Sequence, residues 1–351
     1  MSCARPRWLP AAVAAIRRRG KVAGKLPGEF DLIARYFAPL AADMPGALGL
    51  EDDACTYAPM PGLDLVLTVD ALVEGIHFLP DDPADLVARK LLRVNLSDLA
   101  AKGAKPVGYL MTTAFTPETD EAWVAAFARG LAADQQEFDI GLLGGDTVAT
   151  PGPLSLTLTA LGTVPAGKAL RRNGACAGDV VLVSGTIGDG ALGLKVLRQD
   201  FPGLASADRD FLGHRYRLPR PRVELGQALL ESGLVHAMMD VSDGLVADLG
   251  HIASASHVAA VLHAFTVPLS AAASGLLADD PTLLPLLLGG GDDYELLLTA
   301  PPAAVPALVA LAREVGIPLT AIGEISAGEG VRVLDRDGES LDMAIGGFRH
   351  F

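Results

Sequence analysis

Seven aspartates lie on short apolar or glycine-rich segments that are spread over most of the 351-residue chain. They are Asp53 in GLEDDA, Asp70 in LTVDALV, Asp98 in VNLSDLAAKGA, Asp146 in GLLGGDT, Asp240 and Asp243 in MMDVSDGL, and Asp292 in GGGDDYEL. A carboxylate on such a segment costs folding free energy unless a cation or a hydrogen bond compensates it. Almost no basic residues stand beside these aspartates, which points to a hard-metal site. Oxygen ligands suit Mg²⁺, which usually arrives with a phosphate.

The charge balance excludes one class of partner. The chain has 28 basic and 42 acidic residues, and its first 27 residues hold seven of the basic ones and no acid. The rest of the chain is therefore strongly acidic, which argues against nucleic-acid binding because that binding relies on a positive surface. The acidity fits a protein that handles phosphates through metal ions, and it also aids solubility.

The cysteines and the apolar runs indicate the compartment. Cys3, Cys55 and Cys176 are far apart and form no CxxC pair, so neither a disulfide framework nor a zinc site is predicted and a cytoplasmic location fits. Apolar runs are broken well before the ~18 residues of a membrane span. Residues 8–16 are apolar and precede three arginines, the reverse of a secretory signal. We interpret residues 1–27 as a dispensable or loosely packed extension; a transit peptide is the alternative.

Strand-like and helix-like segments are mixed in both halves of the chain. Strands are predicted for LDLVLTVDALV, VGYLMTTAF, LSLTLTALGTV, DVVLVSGTIG, YELLLTAP, LTAIGEI and GVRVLD, and a short strand ending in a glycine turn for IGLLGGDT. Helices are predicted for EFDLIARYFAPL, PADLVARKLLRVNLSDLAAKGA, TDEAWVAAFARGLAADQQEF, GALGLKVLR, PRVELGQALLES and DGLVADLGHIASAS. The class is α+β (α/β mixed), with an N-terminal domain at 28–165 and a C-terminal α/β domain at 166–351.

The common phosphate-binding and catalytic motifs are absent from the sequence. There is no GxxxxGK[ST], no GxGxxG between a strand and a helix, no GxSxG and no HRD. Phosphate binding is therefore expected to depend on carboxylates and metal rather than on a glycine loop with lysine.

Three of the aspartate segments have predicted local geometries. Asp70 is expected at the end of a strand, with Thr68 on the same face; a turn aspartate that caps the next segment is the alternative. Asp98 shares a helix face with Lys102, and a simple ion pair between them is the alternative to a metal role. Asp240 and Asp243 are expected on an N-terminal helical turn, where they share a cation; an ordinary capping segment is the alternative.

Each of the other candidate residues has a functional interpretation and a purely structural one. The glycines before Asp146 let the backbone approach a ligand closely, although a turn or cap is an equal alternative. Arg172 presents a planar fork that matches phosphate oxygens, but surface arginines are common. His77 and Asp292 fit contacts to a substrate, or else a structural histidine and a solvated acid.

The order of these motifs resembles the thiamine-monophosphate kinase family, in the aminoimidazole ribonucleotide synthetase superfamily of ATP-binding proteins. The motifs are GEFDLIARYF, TVDALVEGIHF, NLSDLAAKGA, GGDT, RRNGACAGD, DVSDGL, GGGDDYEL and a terminal GFRHF, over about residues 28–351. The resemblance implies two domains, with a homodimer formed through the N-terminal sheets. It also implies direct in-line transfer of the γ-phosphate of ATP to thiamine monophosphate with several Mg²⁺ ions, and no acid–base residue.

The resemblance also implies roles for individual residues. The metal-binding positions are Asp53, Thr68, Val69 (through its backbone), Asp70, Asp98, Asp146, Asp240 and Asp243. The ATP-binding positions are Asp53, Gly145, Asp146, Arg172 and Ser242, and the substrate-binding positions are His77, Asp292 and Phe348.

The chain departs from the family pattern at three places. Glu51 stands where GxGDD has a glycine, Asp292 stands where GGEDYEL has a glutamate, and no aromatic residue near Ala128 is placed to stack on adenine. The rivals are an ATP-dependent synthetase of the same superfamily and a non-catalytic nucleotide- or thiamine-binding regulator. Retention of nearly every metal carboxylate disfavours the regulator.

Overall fold

Two β-sheets organise the computed structural model, which describes residues 26–343. The first sheet contains β1 (Leu63–Val73), β2 (Lys105–Phe115), β3 (Gly141–Ala149) and β4 (Ser155–Pro165) in the order β1-β4-β2-β3. The second contains β5 (Val180–Ser184), β6 (Ala237–Asp240), β7 (Ala259–His263), β8 (Leu296–Ala300), β9 (Leu319–Ser326) and β10 (Gly330–Leu334) in the order β10-β7-β9-β5-β8-β6. Both sheets combine parallel and antiparallel pairs, which confirms the mixed class.

Helices connect the strands in both halves. They are α1 (Glu29–Leu32), α2 (Ala84–Ala101), α3 (Glu121–Phe138), α4 (Asp189–Leu197), α5 (Ser206–Arg217), α6 (Val223–Ser232), α7 (Leu245–Ser256), α8 (Ala271–Asp279), α9 (Leu284–Gly289) and α10 (Val305–Glu314). Among the described residues, no helix is both long and apolar enough to cross a membrane.

Helix α2 is the centre of the molecule. Fourteen of its 18 residues are buried, because it packs against the first sheet on one side and against α6 and β6 on the other. A helix that is covered all round must satisfy its polar residues internally. Arg93 does so with Asp134 of α3 and the carbonyl of Pro219. The cores of the two halves are therefore continuous through α2.

The first sheet has one covered face and one open face. Even-numbered residues of β1, such as Thr68 and Leu72, point towards α2, whereas Leu67 and Val69 remain 61% and 59% exposed. This alternation is expected for a strand of which one face packs on the core. β1 is also the edge strand of its sheet.

Several local predictions are confirmed, and four need correction. IGLLGGDT contains no turn, because β3 runs through both glycines to Ala149 while it pairs with β2. Asp70 lies inside β1 rather than at its end. Asp240 and Asp243 do not share a helical turn, since Asp240 ends β6 and α7 begins only at Leu245. EFDLIARYFAPL forms α1 followed by short π and 3₁₀ turns rather than one α-helix.

Some predictions fall on parts of the chain that the structure does not describe. Residues 1–25 of the predicted extension lie outside the described residues. The predicted substrate contact Phe348 also lies outside them.

Candidate active site

A cavity of about 850 Å³ lies where the edge of the first sheet meets the second half of the chain. Its walls come from β1, α2, α4, the end of β6 and the segment that follows α9. Eight residues singled out in the sequence for metal, ATP or substrate contacts line it: Val69, Asp70, His77, Asp98, Asp240, Ser242, Asp243 and Asp292.

The carboxylates of this cavity repel one another. Burial, and then the charges of Asp98 and Asp243, raise the pKa of Asp70 to about 6. Burial, and then the charge of Asp98, raise the pKa of Asp240 to about 7. Burial also raises the pKa of Asp98. A raised carboxylate pKa means that the charged form is disfavoured, which a bound cation would reverse.

The donor set fits a hard divalent cation. The cluster offers carboxylate and hydroxyl oxygens, which are the ligands that Mg²⁺ prefers. The hydroxyl of Thr68 donates to Asp98 across the contact between β1 and α2. Ser97 Oγ donates to Asp240 Oδ2 at 2.7 Å, which ties α2 to β6. The carboxylates are thus held by rigid elements from both halves of the chain.

Asp98 is not explained by a simple pair with Lys102. Lys102 is itself half-buried, and burial followed by the charge of Arg172 lowers its pKa. The Thr68 hydroxyl opposes the rise in the pKa of Asp98 more than the charge of Lys102 does. The lysine is therefore a cation near the cluster rather than a dedicated partner of one aspartate.

Asp248 organises the segment between β6 and α7. Its Oδ2 accepts hydrogen bonds from the backbone N–H groups of Ser242, Asp243 and Gly244, each at 3.1 Å. Burial raises its pKa to about 8. Gly244 has a φ of 116° and no room for a Cβ, which would lie 2.4 Å from the carbonyl of Gly289. Sequence reasoning missed Asp248, although its position five residues after Asp243 is compatible with a cap of this kind.

Asp248→Ala is expected to lower the free energy of unfolding by about 2–5 kcal/mol, because three N–H groups lose their acceptor in a buried place. Urea denaturation measures this change. Asp248→Asn is the matched control, since its amide oxygen still accepts hydrogen bonds, and it should retain most of the stability. Equal stability of the alanine variant and the wild type would contradict the role assigned to Asp248.

The segment after α9 carries backbone strain. Asp292 and Tyr294 have positive φ values of 72° and 54°, a region that residues other than glycine rarely occupy. Their N–H groups donate to Ser242 O at 3.0 Å and to Val241 O at 2.8 Å. Gly291 has to be a glycine, because a Cβ would lie 2.2 Å from Ser242 O. Such strain persists only where neighbouring structure imposes it, and it is common at ligand sites.

Lys90 is a buried cation that sequence reasoning also missed. Its Nζ lies 3.1 Å from Asp292 Oδ1 and 3.0 Å from the carbonyl of His77, and it stands over the ring of Tyr216. His77 is fixed as well, since its Nδ1 accepts from the N–H of Val73 at 3.0 Å. Asp292 is therefore not a freely solvated acid, and Lys90 connects the two residues predicted to contact substrate.

The remaining carboxylates lie on the other face of the first sheet. Asp53, Gly145 and Asp146 line a cavity of about 490 Å³. Asp146 lies opposite Thr112 of β2, and β2 and β4 separate it from β1. Three strand spacings of about 4.8 Å place it about 14 Å from β1. One chain therefore does not assemble all the predicted metal positions into the single divided site expected from the sequence.

The glycine-rich and acidic segments around this second cavity have structural explanations. A Cβ on Gly145 would lie 1.8 Å from the carbonyl of Met111, so packing of β3 on β2 requires the glycine. Glu51, which replaces a family glycine, has a φ of −107° and needs none. The left-handed conformations fall instead on Leu48 and Leu50, with φ values of 52° and 59°.

Arg172 is exposed and, in the described part of the chain, lines neither cavity. The positive charge of Arg172 nevertheless lowers the pKa of both Asp98 and Lys102. Its backbone is fixed, because the carbonyl of Arg172 accepts from Ser256 Oγ and that of Arg171 accepts from Met238 N.

Comparison with known proteins places this geometry in a family. Residues 51–164 match the AIR synthase related protein, N-terminal domain, and residues 177–336 match the AIR synthase related protein, C-terminal domain. A thiamine-monophosphate kinase of Caulobacter vibrioides is 47% identical over 310 residues, which cover 87% of this chain and 86% of that protein.

Two solved structures have the same architecture. The crystal structure of thiamine-monophosphate kinase from Stenotrophomonas maltophilia K279a is 43% identical, with a TM-score of 0.79 over 90% of this chain and 98% of that one. The structure of AaThiL complexed with AMPPCP and TMP is 28% identical, with a TM-score of 0.72 over 92% and 97% of the two chains. With its two matched domains and its carboxylate-lined cavity, the chain belongs to the thiamine-monophosphate kinase family of AIR synthase related proteins.

Proposed function

We propose that this protein transfers the γ-phosphate of ATP to thiamine monophosphate and so forms thiamine diphosphate, with Mg²⁺ as the metal. The observation that carries the proposal is the single cavity in which Asp70, Asp98 and Asp240 lie beside the strained segment of Asp292 and Tyr294. A metal-binding wall and a wall for an organic substrate therefore face the same space. The relative complexed with AMPPCP and TMP supports the same pair of substrates.

The chemistry requires charge control more than proton transfer. Two anionic phosphates must meet, and unit like charges at ~4 Å repel by ~4 kcal/mol at an effective dielectric of ~20. The attacking phosphate oxygen is already ionised, so no general base is needed. Asp70, Asp98, Asp240, Asp243 and the hydroxyl of Thr68 would hold the metal ions, which neutralise charge on the transferred group when bound.

The residues of this chain contribute alignment. Ser97 and Thr68 fix the orientation of two carboxylates, and Asp248 fixes the backbone of Ser242 and Asp243. Preorganised groups of this kind need no rearrangement during the reaction. The side chain of Asp292 is one carbon shorter than the usual glutamate, and its ion pair with Lys90 keeps it directed into the cavity.

The second cavity is proposed as the nucleotide side of the site. It places Asp53, Gly145 and Asp146 next to an apolar wall that includes Ile33, Phe37 and Leu50. Such a wall suits a purine base, while the carboxylates suit metal-bound phosphates. This wall offers a place for adenine that does not depend on an aromatic residue near Ala128. Arg172 stays a proposed phosphate contact on its fixed segment.

A homodimer joins the two cavities in this proposal. Leu67 and Val69 are exposed on the open face of the first sheet, which also carries Asp146. An exposed apolar face of this kind favours a protein interface. Packing of two such faces covers these side chains and brings the second cavity of one subunit towards the β1 edge of the other, where Val69 and Asp70 lie.

The domain boundaries and the compartment complete the proposal. The segment from residue 166 to residue 179 divides the two sheets, so domains at 28–165 and 166–351 remain our division. Cys55 and Cys176 are free thiols, which fits a cytoplasmic location.

The proposed activity is tested by incubating the protein with ATP, Mg²⁺ and thiamine monophosphate and separating thiamine diphosphate by chromatography. Product is expected with Mg²⁺, and its formation should fall to background when a chelator removes the metal. Free thiamine and a purine-precursor substrate of the related synthetases serve as controls. Activity on either control together with no thiamine diphosphate from the monophosphate would overturn the proposal.

A further inference from the structure

Three potential metal ligands from two distant segments meet on the second domain, away from both cavities. Cys176 and Asp179 lie just before β5, and His236 lies just before β6. A sulfur, a carboxylate oxygen and a ring nitrogen from these residues all lie within 4.8 Å of one another. We propose that Cys176, Asp179 and His236 form a binding site for a transition-metal ion of the Zn²⁺ class.

The local structure holds the three ligands in place before any metal arrives. Asp179 is buried, and its Oδ2 accepts the N–H of Cys176 at 2.9 Å. The same carboxylate contacts His236 Nδ1 at 2.9 Å. The N–H of His236 donates to the carbonyl of Thr299 in β8, which fixes the start of β6. Cys176 and Asp179 also form a turn, with the N–H of Asp179 donating to Cys176 O at 2.9 Å.

The ligand types select the metal. One thiolate, one imidazole and one carboxylate form a three-ligand zinc set that leaves a fourth, tetrahedral position for water. A sulfur ligand disfavours Mg²⁺, which prefers oxygen. Cys176 is exposed and the side chain of His236 is 39% exposed, so an ion can enter from solvent. The cluster is thus chemically distinct from the all-oxygen set around Asp240.

Binding requires a defined proton balance. The thiol of Cys176 loses its proton to solvent when its sulfur becomes a ligand. The proton that His236 Nδ1 shares with Asp179 is displaced, and in a neutral imidazole it moves to Nε2. The ion therefore replaces a hydrogen bond with two coordinate bonds and adds a third from sulfur, and metal affinity is linked to proton release.

The position of the site indicates that a bound metal would cross-link two strands of the second sheet, an arrangement we call the clasp. β5 and β6 both pair with β8 and flank it, and the three ligands connect their first residues across the end of β8. A metal that binds only the folded chain stabilises it by an amount that grows with the logarithm of its concentration above Kd. Zn²⁺ is therefore expected to raise the thermal midpoint of the protein by several degrees. This inference does not depend on the proposed kinase activity.

Titration of the full chain with Co²⁺ in excess Mg²⁺ tests the proposal, because only a thiolate ligand gives a sulfur-to-cobalt charge-transfer band. The band is expected in the wild type and is expected to disappear when Zn²⁺ is added. Cys176→Ser should abolish it, and His236→Ala should weaken Co²⁺ affinity at least about tenfold, as loss of groups at a metal site commonly does. Cys55→Ser is the matched control and should leave the band unchanged.

Two outcomes would overturn the proposal. The first is the absence of a charge-transfer band in wild-type protein whose cysteines are reduced. The second is a band that persists in Cys176→Ser. The substituted side chains of Cys176 and His236 are exposed or half-exposed, and circular dichroism checks that both variants are folded. A rise in the thermal midpoint with Zn²⁺ in the wild type but not in Cys176→Ser supports the clasp independently.

Discussion

Asp240→Asn is expected to lower kcat/KM for thiamine diphosphate formation by about 10³-fold or more. A metal ion contributes several kcal/mol of charge stabilisation, and each 1.36 kcal/mol is a factor of about ten in rate. Asp240 is buried where the two halves of the chain meet, and the charges of Asp98 and Asp70 help to raise its pKa. Asparagine preserves the shape of the side chain and its contact with Ser97 but removes the charge. Initial rates over a range of Mg²⁺ and ATP concentrations measure the loss.

Asp70→Asn should behave in the same way, because Asp70 faces the same cluster from β1. Asp337→Asn is the matched control, since Asp337 is exposed in the turn after β10. It should leave kcat/KM within about twofold, as is usual for a surface substitution. Near-normal turnover of Asp240→Asn and Asp70→Asn at saturating Mg²⁺ would remove the metal role from this cluster.

A second measurement separates a metal role from general damage. Mg²⁺ stabilises a folded protein that binds it, so the ion should raise the thermal midpoint of the wild type. The rise should be smaller in Asp240→Asn, even though the variant relieves repulsion between buried carboxylates and is expected to be at least as stable without metal. A variant that is simply misfolded would instead have a lower midpoint in both conditions.

Much of the first half of the fold can be predicted from the sequence, because the local signals there agree. β1 is a continuous run with β-branched residues, and α2 lies between Pro83 and Gly103. Gly103 indeed has a φ of 70°, and a Cβ there would lie 2.5 Å from Leu230 of α6. The short strands β6 and β7 are not predicted from the sequence, since buried strands of four or five residues carry no clear periodicity.

The candidate site could be predicted only in part, because pairings between distant segments are not encoded locally. Lys90 and Asp292 are 202 positions apart in the numbering and meet only when α2 packs against the segment after α9. Asp179 and His236, which are 57 positions apart, come together across β8. The spacing of cysteines alone gave no reason to expect a zinc-class site. A ligand set assembled by a sheet has no fixed spacing in sequence.

Sheet order explains the largest difference between prediction and structure. The sequence places Asp70 and Asp146 on segments of similar character, but it contains no signal that β4 and β2 lie between those strands. Because side chains alternate along a strand, the two carboxylates also lie on opposite faces of the sheet. Thr68 and Asp70 face α2, whereas Asp146 shares the other face with Thr112 and Thr157. In the proposed homodimer, each chain would therefore contribute two half-sites.

Co-expression of Asp146→Asn and Asp240→Asn chains is expected to recover about a quarter of wild-type activity, although each variant alone is nearly inactive. If each complete site takes Asp146 from one subunit and Asp240 from the other, a mixed dimer has one doubly impaired site and one intact site. Random pairing makes half of the dimers mixed, and half of the sites in those dimers work. Differently tagged chains allow the mixed dimer to be purified, and it should have about half the activity of the wild type.

The matched control pairs two variants from the same half-site. Asp70→Asn and Asp240→Asn chains line one cavity of a single chain, so their mixed dimer should have no intact site and should stay near the background of each variant. If activity is recovered when Asp240→Asn is paired with Asp146→Asn but not when it is paired with Asp70→Asn, the two subunits share each site. Exchange of subunits alone would not produce this difference. If the mixed dimer of Asp146→Asn and Asp240→Asn is inactive while a dimer of one wild-type and one doubly substituted chain keeps about half of the activity, the complete site lies within one chain. The separation of about 14 Å across the first sheet would then have to be bridged within one subunit rather than by pairing between two.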